Sequence, residues 1–150
     1  MKTVIFTRRT SPDSQTAYGD TARIEDNGTV LYECPCSTNP NPTRPSDGVE
    51  WELAYAQVAP GSYEGLFTSN PKFGLCILVN NGDKVPTTNP NENHDGEHYA
   101  TEVFIHKGQN SDWRGSKACF TIPPEYHVEF FGCFEPGETI KIELIERGIV

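Results

Sequence analysis

His106, Ser116 and Cys119 are the residues of this chain whose types and spacing suit covalent chemistry, and all three lie in the stretch EVFIHKGQNSDWRGSKACFTIPPEY. A thiol becomes a strong nucleophile only when it ionises, so it needs a base or a positive neighbour, and imidazole is the usual base. An apolar strand delivers His106, and a polar, glycine-bearing turn leads to Ser116 and Cys119. A strand, a turn and a returning strand would bring the imidazole and the thiol side by side at one end of a sheet. Each residue also has a plainer reading. A cysteine that opens an apolar strand is commonly a buried small hydrophobe. His106 after Val-Phe-Ile is then a core histidine, and Ser116 a turn residue. Trp113 and Arg114 would wall a substrate groove, or Trp113 would pack on its own strand. Lys117 lowers the thiol pKa if its ammonium lies near, and does nothing if strand alternation turns it away.

The elements that must position these groups are short. Apolar and β-branched residues come in brief runs punctuated by Gly, Pro, Asn and Asp, the pattern of strands and turns. The runs predict nine strands: Thr3 to Thr7, Thr21 to Glu25, Thr29 to Glu33, Trp51 to Gln57, Ser62 to Phe67, Leu75 to Asn80, Thr101 to His106, Ala118 to Ile122 and Thr139 to Ile145. Nine short strands imply a mostly β fold, a sandwich or open barrel. One short helix is predicted near residues 124–134. Pro123 and Pro124 can start it, because early helical positions need no backbone donor, and Tyr126, Phe130 and Cys133 or Phe134 then share a face. Pro136 and Gly137 end it. Residues 35–48 and 81–97 read as loops, crowded with Asn, Pro, Thr and Gly. Loops of that length either cover a site or are tolerated surface insertions.

The chain of 150 residues has material for one hydrophobic core, so residues 1–150 are read as a single domain. Its formal net charge of -9 disfavours nucleic acid and anionic membrane surfaces, which call for clustered Lys and Arg. A neutral or zwitterionic ligand, such as a peptide or sugar polymer, is compatible with it. The opening MKTVIFTRRT carries a short apolar stretch followed by arginines, the pattern of a first strand and not of a secretion signal, which points to synthesis in a cytoplasm. Cys34, Cys36, Cys76, Cys119 and Cys133 form an odd set, expected as reduced thiols. Alternation turns Cys34 and Cys36 to one face, but no second pair completes a zinc site, so no metal and no cofactor is expected. Asn91, Asn93, Asp95, Gly96, Glu97 and Glu102 follow the spacing of a calcium loop. Asn stands where Asp is usual, His98 replaces the apolar residue and no helix pair flanks the segment. A solvated loop is the preferred reading there, for calcium and for transition-metal binding through His94 and His98 alike.

The order I-H-K-G, a short loop, then G-S-K-A-C-F-T-I resembles the signature of the YkuD-type L,D-transpeptidase catalytic domain, a strand His followed by S-x-G-C and an apolar strand. APGSYEGLF at residues 59–67 and the closing TIKIELI extend the likeness, which is nearest to compact, often phage-borne versions. The resemblance implies a β-rich fold and cysteine acyl transfer on peptidoglycan stem peptides, by cross-linking or by hydrolysis. Cys119 would be the nucleophile, His106 the proton acceptor and Ser116 an orienting group. Lys107, Gly108, Trp113 and Lys117 would line the substrate site, and backbone N–H groups around Ala118 and Cys119 would stabilise the oxyanion. The chain departs from the pattern at Lys117 and Ala118, where the family has His and Gly, and no Arg follows Cys119 at the usual place. Those departures keep open an alternative, a noncatalytic binding or structural component of a phage particle or similar assembly.

Overall fold

The structure, a computed structural model, describes residues 1–11, 16–40, 57–88, 99–109 and 119–148. Most of its regular structure is strand. β1 (Lys2–Arg8), β2 (Asp20–Asp26), β3 (Thr29–Cys36), β4 (Gly61–Asn70), β5 (Gly74–Val79), β8 (Phe104–Lys107), β9 (Phe120–Ile122) and β10 (Thr139–Glu146) form one sheet in the order β3-β2-β1-β10-β4-β5-β8-β9. The two-residue strands β6 (Val85–Pro86) and β7 (Tyr99–Ala100) pair separately. Beyond the end of β3, Ser37 and Thr121 exchange both backbone hydrogen bonds at 2.9 Å. That bridge ties the two edges of the large sheet into a nearly closed barrel. Closure matters because an open edge presents unpaired backbone groups.

Strand alternation accounts for the core. In β10, Ile140, Ile142 and Leu144 are buried while Thr139 and Lys141 face out, as a period of two requires. Cys34 and Cys36 share the buried face of β3 in the same way. Phe6 meets Phe120 edge to face at 4.8 Å, joining β1 to β9 across the interior. Phe67 on β4 packs on Phe131 at 6.1 Å and Phe134 at 5.7 Å.

Eight of the nine expected strands are present. The expectation for Trp51 to Gln57 falls on residues outside the description apart from Gln57, which is not in a strand. The run from Thr101 enters its strand only at Phe104, because Glu102 adopts a left-handed φ of 52° and donates its amide to the Gly82 carbonyl. β6 and β7 were not anticipated, being too short to show a period. The helix is shorter than expected at both ends: α1 spans His127–Phe131. Residues 123–126 form a turn closed by the Tyr126 amide on the Pro123 carbonyl, and the chain beyond Gly132 tightens into i-to-i+3 bonds at Cys133 and Phe134. Phe130 and Phe134 are buried as the face predicted, but so is Phe131, while Tyr126 and Cys133 are only half-buried. The helix end packs its Phe131 and Phe134 rings on Phe67 of β4.

Candidate active site

β8 is the strand that organises the site. It pairs antiparallel with β5, placing Cys76 opposite His106, and parallel with β9, placing Thr121 opposite His106. The parallel pairing corrects the expected strand, turn and returning strand. Parallel neighbours need a crossover of about a dozen residues, which is compatible with the sequence interval between Lys107 and Phe120. Cys119 nonetheless comes to rest against β8, the strand that carries His106. Cys119 lies two positions before Thr121, and its Sγ accepts the backbone N–H of Phe104, the first residue of β8, at 3.3 Å.

His106 is 3% exposed. Its Nδ1 lies 2.7 Å from the Lys107 carbonyl oxygen. A carbonyl only accepts, so Nδ1 carries the proton and Nε2 keeps its lone pair, the tautomer a general base needs. Phe73 covers the imidazole, stacked at 4.0 Å and 12°, and also meets Phe104 at 5.3 Å. Burial pulls the His106 pKa below its ordinary value, the Lys107 hydrogen bond opposes that, and the charge of Lys72 adds to it. The imidazole is therefore neutral at neutral pH.

Burial pushes the Cys119 thiol up, while the Phe104 amide, the Lys72 ammonium and a backbone N–H at Cys119 itself pull it down. The net shift is upward, so Cys119 rests as a thiol and not a thiolate. A neutral thiol and a neutral imidazole suit proton transfer during attack, as in serine-type acyl transfer, and not a preformed ion pair. The Phe104 N–H favours the charged form of the sulfur.

Of the remaining residues singled out in the sequence, Lys107 ends β8 with its side chain exposed and its carbonyl on His106. Gly108 is buried: a Cβ there would lie 2.1 Å from the Tyr18 hydroxyl and 3.0 Å from Thr121 Cβ, so glycine is required by close packing. Ser116, Trp113 and Lys117 lie outside the described residues, as do Asn91, Asn93, Asp95, Gly96 and Glu97 of the acidic loop. Among the described residues no group of His, Cys, Asp and Glu could hold a metal ion, and no helix is long and apolar enough to cross a membrane.

Three contributors were not read from the sequence. Phe73 and Lys72 sit in a turn whose Asn-Pro-Lys-Phe-Gly composition marks a hairpin tip but not what the tip touches. The third is Thr121, 0% exposed with a hydroxyl that finds no hydrogen-bond partner among the described residues, in register with His106.

Among solved structures, the chain superposes on an L,D-transpeptidase (Yku) from Stackebrandtia nassauensis with a TM-score of 0.50 and 16% identity, over 98% of this chain and 57% of that one. The fold is YkuD-like. Mycobacterium tuberculosis L,D-transpeptidase 1 aligns with a TM-score of 0.41 and 18% identity, over 96% of this chain and 62% of that one. The chain thus spans less than two thirds of the length of either protein. No family model and no curated protein matches the sequence. The YkuD-like fold agrees with the resemblance carried by I-H-K-G and G-S-K-A-C-F-T-I, and with the mostly β architecture expected from the strand pattern.

Proposed function

We propose that this domain is a cysteine acyl-transfer enzyme directed at peptidoglycan stem peptides, an L,D-transpeptidase or L,D-peptidase working through a thioester on Cys119. The observation that carries the reading is a neutral, tautomerically fixed imidazole, paired in register with the strand that Cys119 opens, within a YkuD-like fold. His106 Nε2 takes the thiol proton as Sγ attacks the scissile carbonyl. The C–N bond breaks, and the imidazolium returns its proton to the departing amine. A second amine or a water then attacks the thioester, loses its proton to His106 and releases Cys119 as the thiol. Cross-linking and hydrolysis share the acyl-enzyme and differ only in that acceptor.

The test is intact-mass analysis of the pure protein incubated with stem tetrapeptides. The expected result is an adduct equal to the acyl fragment on Cys119, absent in Cys119→Ala. A second reading, a noncatalytic component of a phage particle or similar assembly, draws on the burial of both reactive groups. It gains if no adduct forms and Cys119 alkylates only after unfolding.

A further inference from the structure

We propose that a groove over β1, β2 and β10, on the outer face of the barrel, binds the phosphate group of a small ligand between Arg9 and Arg147. The groove stands apart from the Cys119 chemistry, because β10 lies three places from β8 in the sheet order. It does not depend on the acyl-transfer reading.

Strand register builds the groove. Thr7 on β1 lies opposite Thr21 on β2, and Arg23 on β2 lies opposite Glu33 on β3. These positions alternate with the core residues Phe6, Ala22 and Cys34, so they face away from the interior. With Arg9 and Arg147 they surround a cavity of about 420 Å³. Arg8 and Glu146 are the last register pair of the parallel strands β1 and β10, and Arg9 and Arg147 come one step beyond them. The ladder continues there: the Arg147 amide donates to the Arg8 carbonyl at 2.9 Å, and the Arg9 amide donates to Asp20 Oδ1 at 2.7 Å. Two exposed guanidiniums thus leave anchored backbone on neighbouring strands, about 4.8 Å apart, and line one cavity.

Like charges side by side in a sheet destabilise it, and carboxylates are plentiful in a chain with 21 acidic residues against 12 Lys and Arg. Those on the neighbouring strand positions are committed elsewhere. Glu146 pairs with Arg8 at 3.2 Å, Glu143 with Lys141 at 3.1 Å and Glu25 with Arg23 at 2.8 Å. Among the described residues Arg9 and Arg147 make no ion pair. Glu33, the one carboxylate among the described residues that line the cavity, stands opposite Arg23 and not opposite the arginine pair. A carboxylate brings one charge and two oxygens, which a single guanidinium satisfies. A phosphate monoester brings close to two charges and three acceptor oxygens, which call for two guanidiniums. Thr7 and Thr21 add hydroxyl donors beside the pair. The net charge of -9 opposes a long polyanion, but charges beyond about 8 Å are screened at physiological ionic strength, so a small ligand meets chiefly the groove.

The test is phosphorus NMR of inorganic phosphate titrated into the whole chain at neutral pH, reading the line broadening on binding. Saturable broadening is expected, with affinity weakened about tenfold in Arg9→Gln and in Arg147→Gln, as for loss of a charge-assisted hydrogen bond. Glu33→Gln is expected to bind about twofold more tightly, because it removes the groove's opposing charge. Lys141→Gln removes a cation from the same face of β10 outside the groove and is expected to bind as the native chain does. Both arginines are exposed, so urea midpoints close to the native one are expected and will show the variants folded. Loss confined to the two arginine variants, with a gain at Glu33, upholds the proposal whatever the Cys119 adduct experiment gives. Broadening that is absent, or that weakens equally in Lys141→Gln, overturns it. Acetate that displaces phosphate at equal concentration overturns it too, since the groove would then take any anion.

Discussion

Two buried polar clusters lie in the same barrel and are built on opposite terms. Around Arg8, all three guanidinium nitrogens are engaged. Nε donates to the Thr38 hydroxyl, Nη1 to the Val58 carbonyl and to Glu146, and Nη2 to the Thr38 carbonyl. Asp20 accepts five hydrogen bonds: Oδ1 from the Arg9 and Thr10 amides and the Thr10 hydroxyl, Oδ2 from the amide and hydroxyl of Thr38. The chain of bonds runs on from Thr10 through Asn39 and Gln57 to Thr88. Around His106, by contrast, among the described residues one ring nitrogen is bonded and the buried Thr121 hydroxyl meets no hydrogen-bond partner. A saturated network has no valence left for a ligand and acts to clamp segments together. An unsaturated one retains donors and acceptors for something that arrives. The contrast is physical, because an unmet buried polar group costs stability that a met one does not.

The largest test of that comparison lies in the clamp. Burial pulls the Arg8 pKa down, with Glu146 and Asp20 holding it up, so the guanidinium stays charged and its removal strands several buried acceptors. Arg8→Met should lower unfolding free energy by about 3 to 5 kcal/mol, as for a broken buried ion pair, seen as an early urea midpoint. A nearly unchanged midpoint would mean that the network is dispensable and the distinction between the two regions false.

Smaller effects come from pH. Burial raises Cys34 from 9.0 to about 12, so above pH 9 the unfolded chain releases its proton first. Stability should be fully present below pH 9 and decline as pH rises toward 12, with a shallower decline in Cys34→Ala. His106 behaves in the other direction. Its folded pKa lies below the ordinary 6.5, so the unfolded chain binds the proton first and stability falls as pH drops from 6.5 through the folded value. Replacing His106 by Gln should flatten that acid limb; an unaltered slope in denaturant melts across pH would show that the imidazole is not held neutral.

The smallest effect is also the most pointed. Thr121→Val keeps the shape and deletes the unmet hydroxyl, so it should raise stability by about 1 kcal/mol, whereas Thr38→Val in the clamp should lower it. A loss at Thr121 would show that its hydroxyl is satisfied after all and that the two regions are built alike.

Arg8 also shows where sequence reading stops. In the run Phe-Thr-Arg-Arg-Thr nothing distinguishes Arg8 from Arg9, and both look like exposed charges ending a strand. Only the convergence of Thr38, Val58 and Glu146, each more than two dozen residues away, makes one of them a buried clamp. The Lys72 and Phe73 tip is a similar case: Asn70, Pro71 and Gly74 spell a turn, but its docking on His106 depends on β8 inserting next to β5. The direction of β9 was likewise not legible, since a strand reads the same in a parallel as in an antiparallel pair.

What the residues determined by themselves is local. Period-two burial gave the mostly β character and eight of the strands, turn residues gave most of their ends, and the order of His106 and Cys119 gave the candidate chemistry. These follow from interactions between near neighbours, which a linear pattern records. Tertiary structure alone decided which strand lies beside which, that the Phe104 N–H meets the Cys119 sulfur, and that His106 and Cys119 are neutral. Those depend on burial and on contacts between segments distant in the chain, and no spacing rule encodes the dielectric or the partners that folding brings to a side chain.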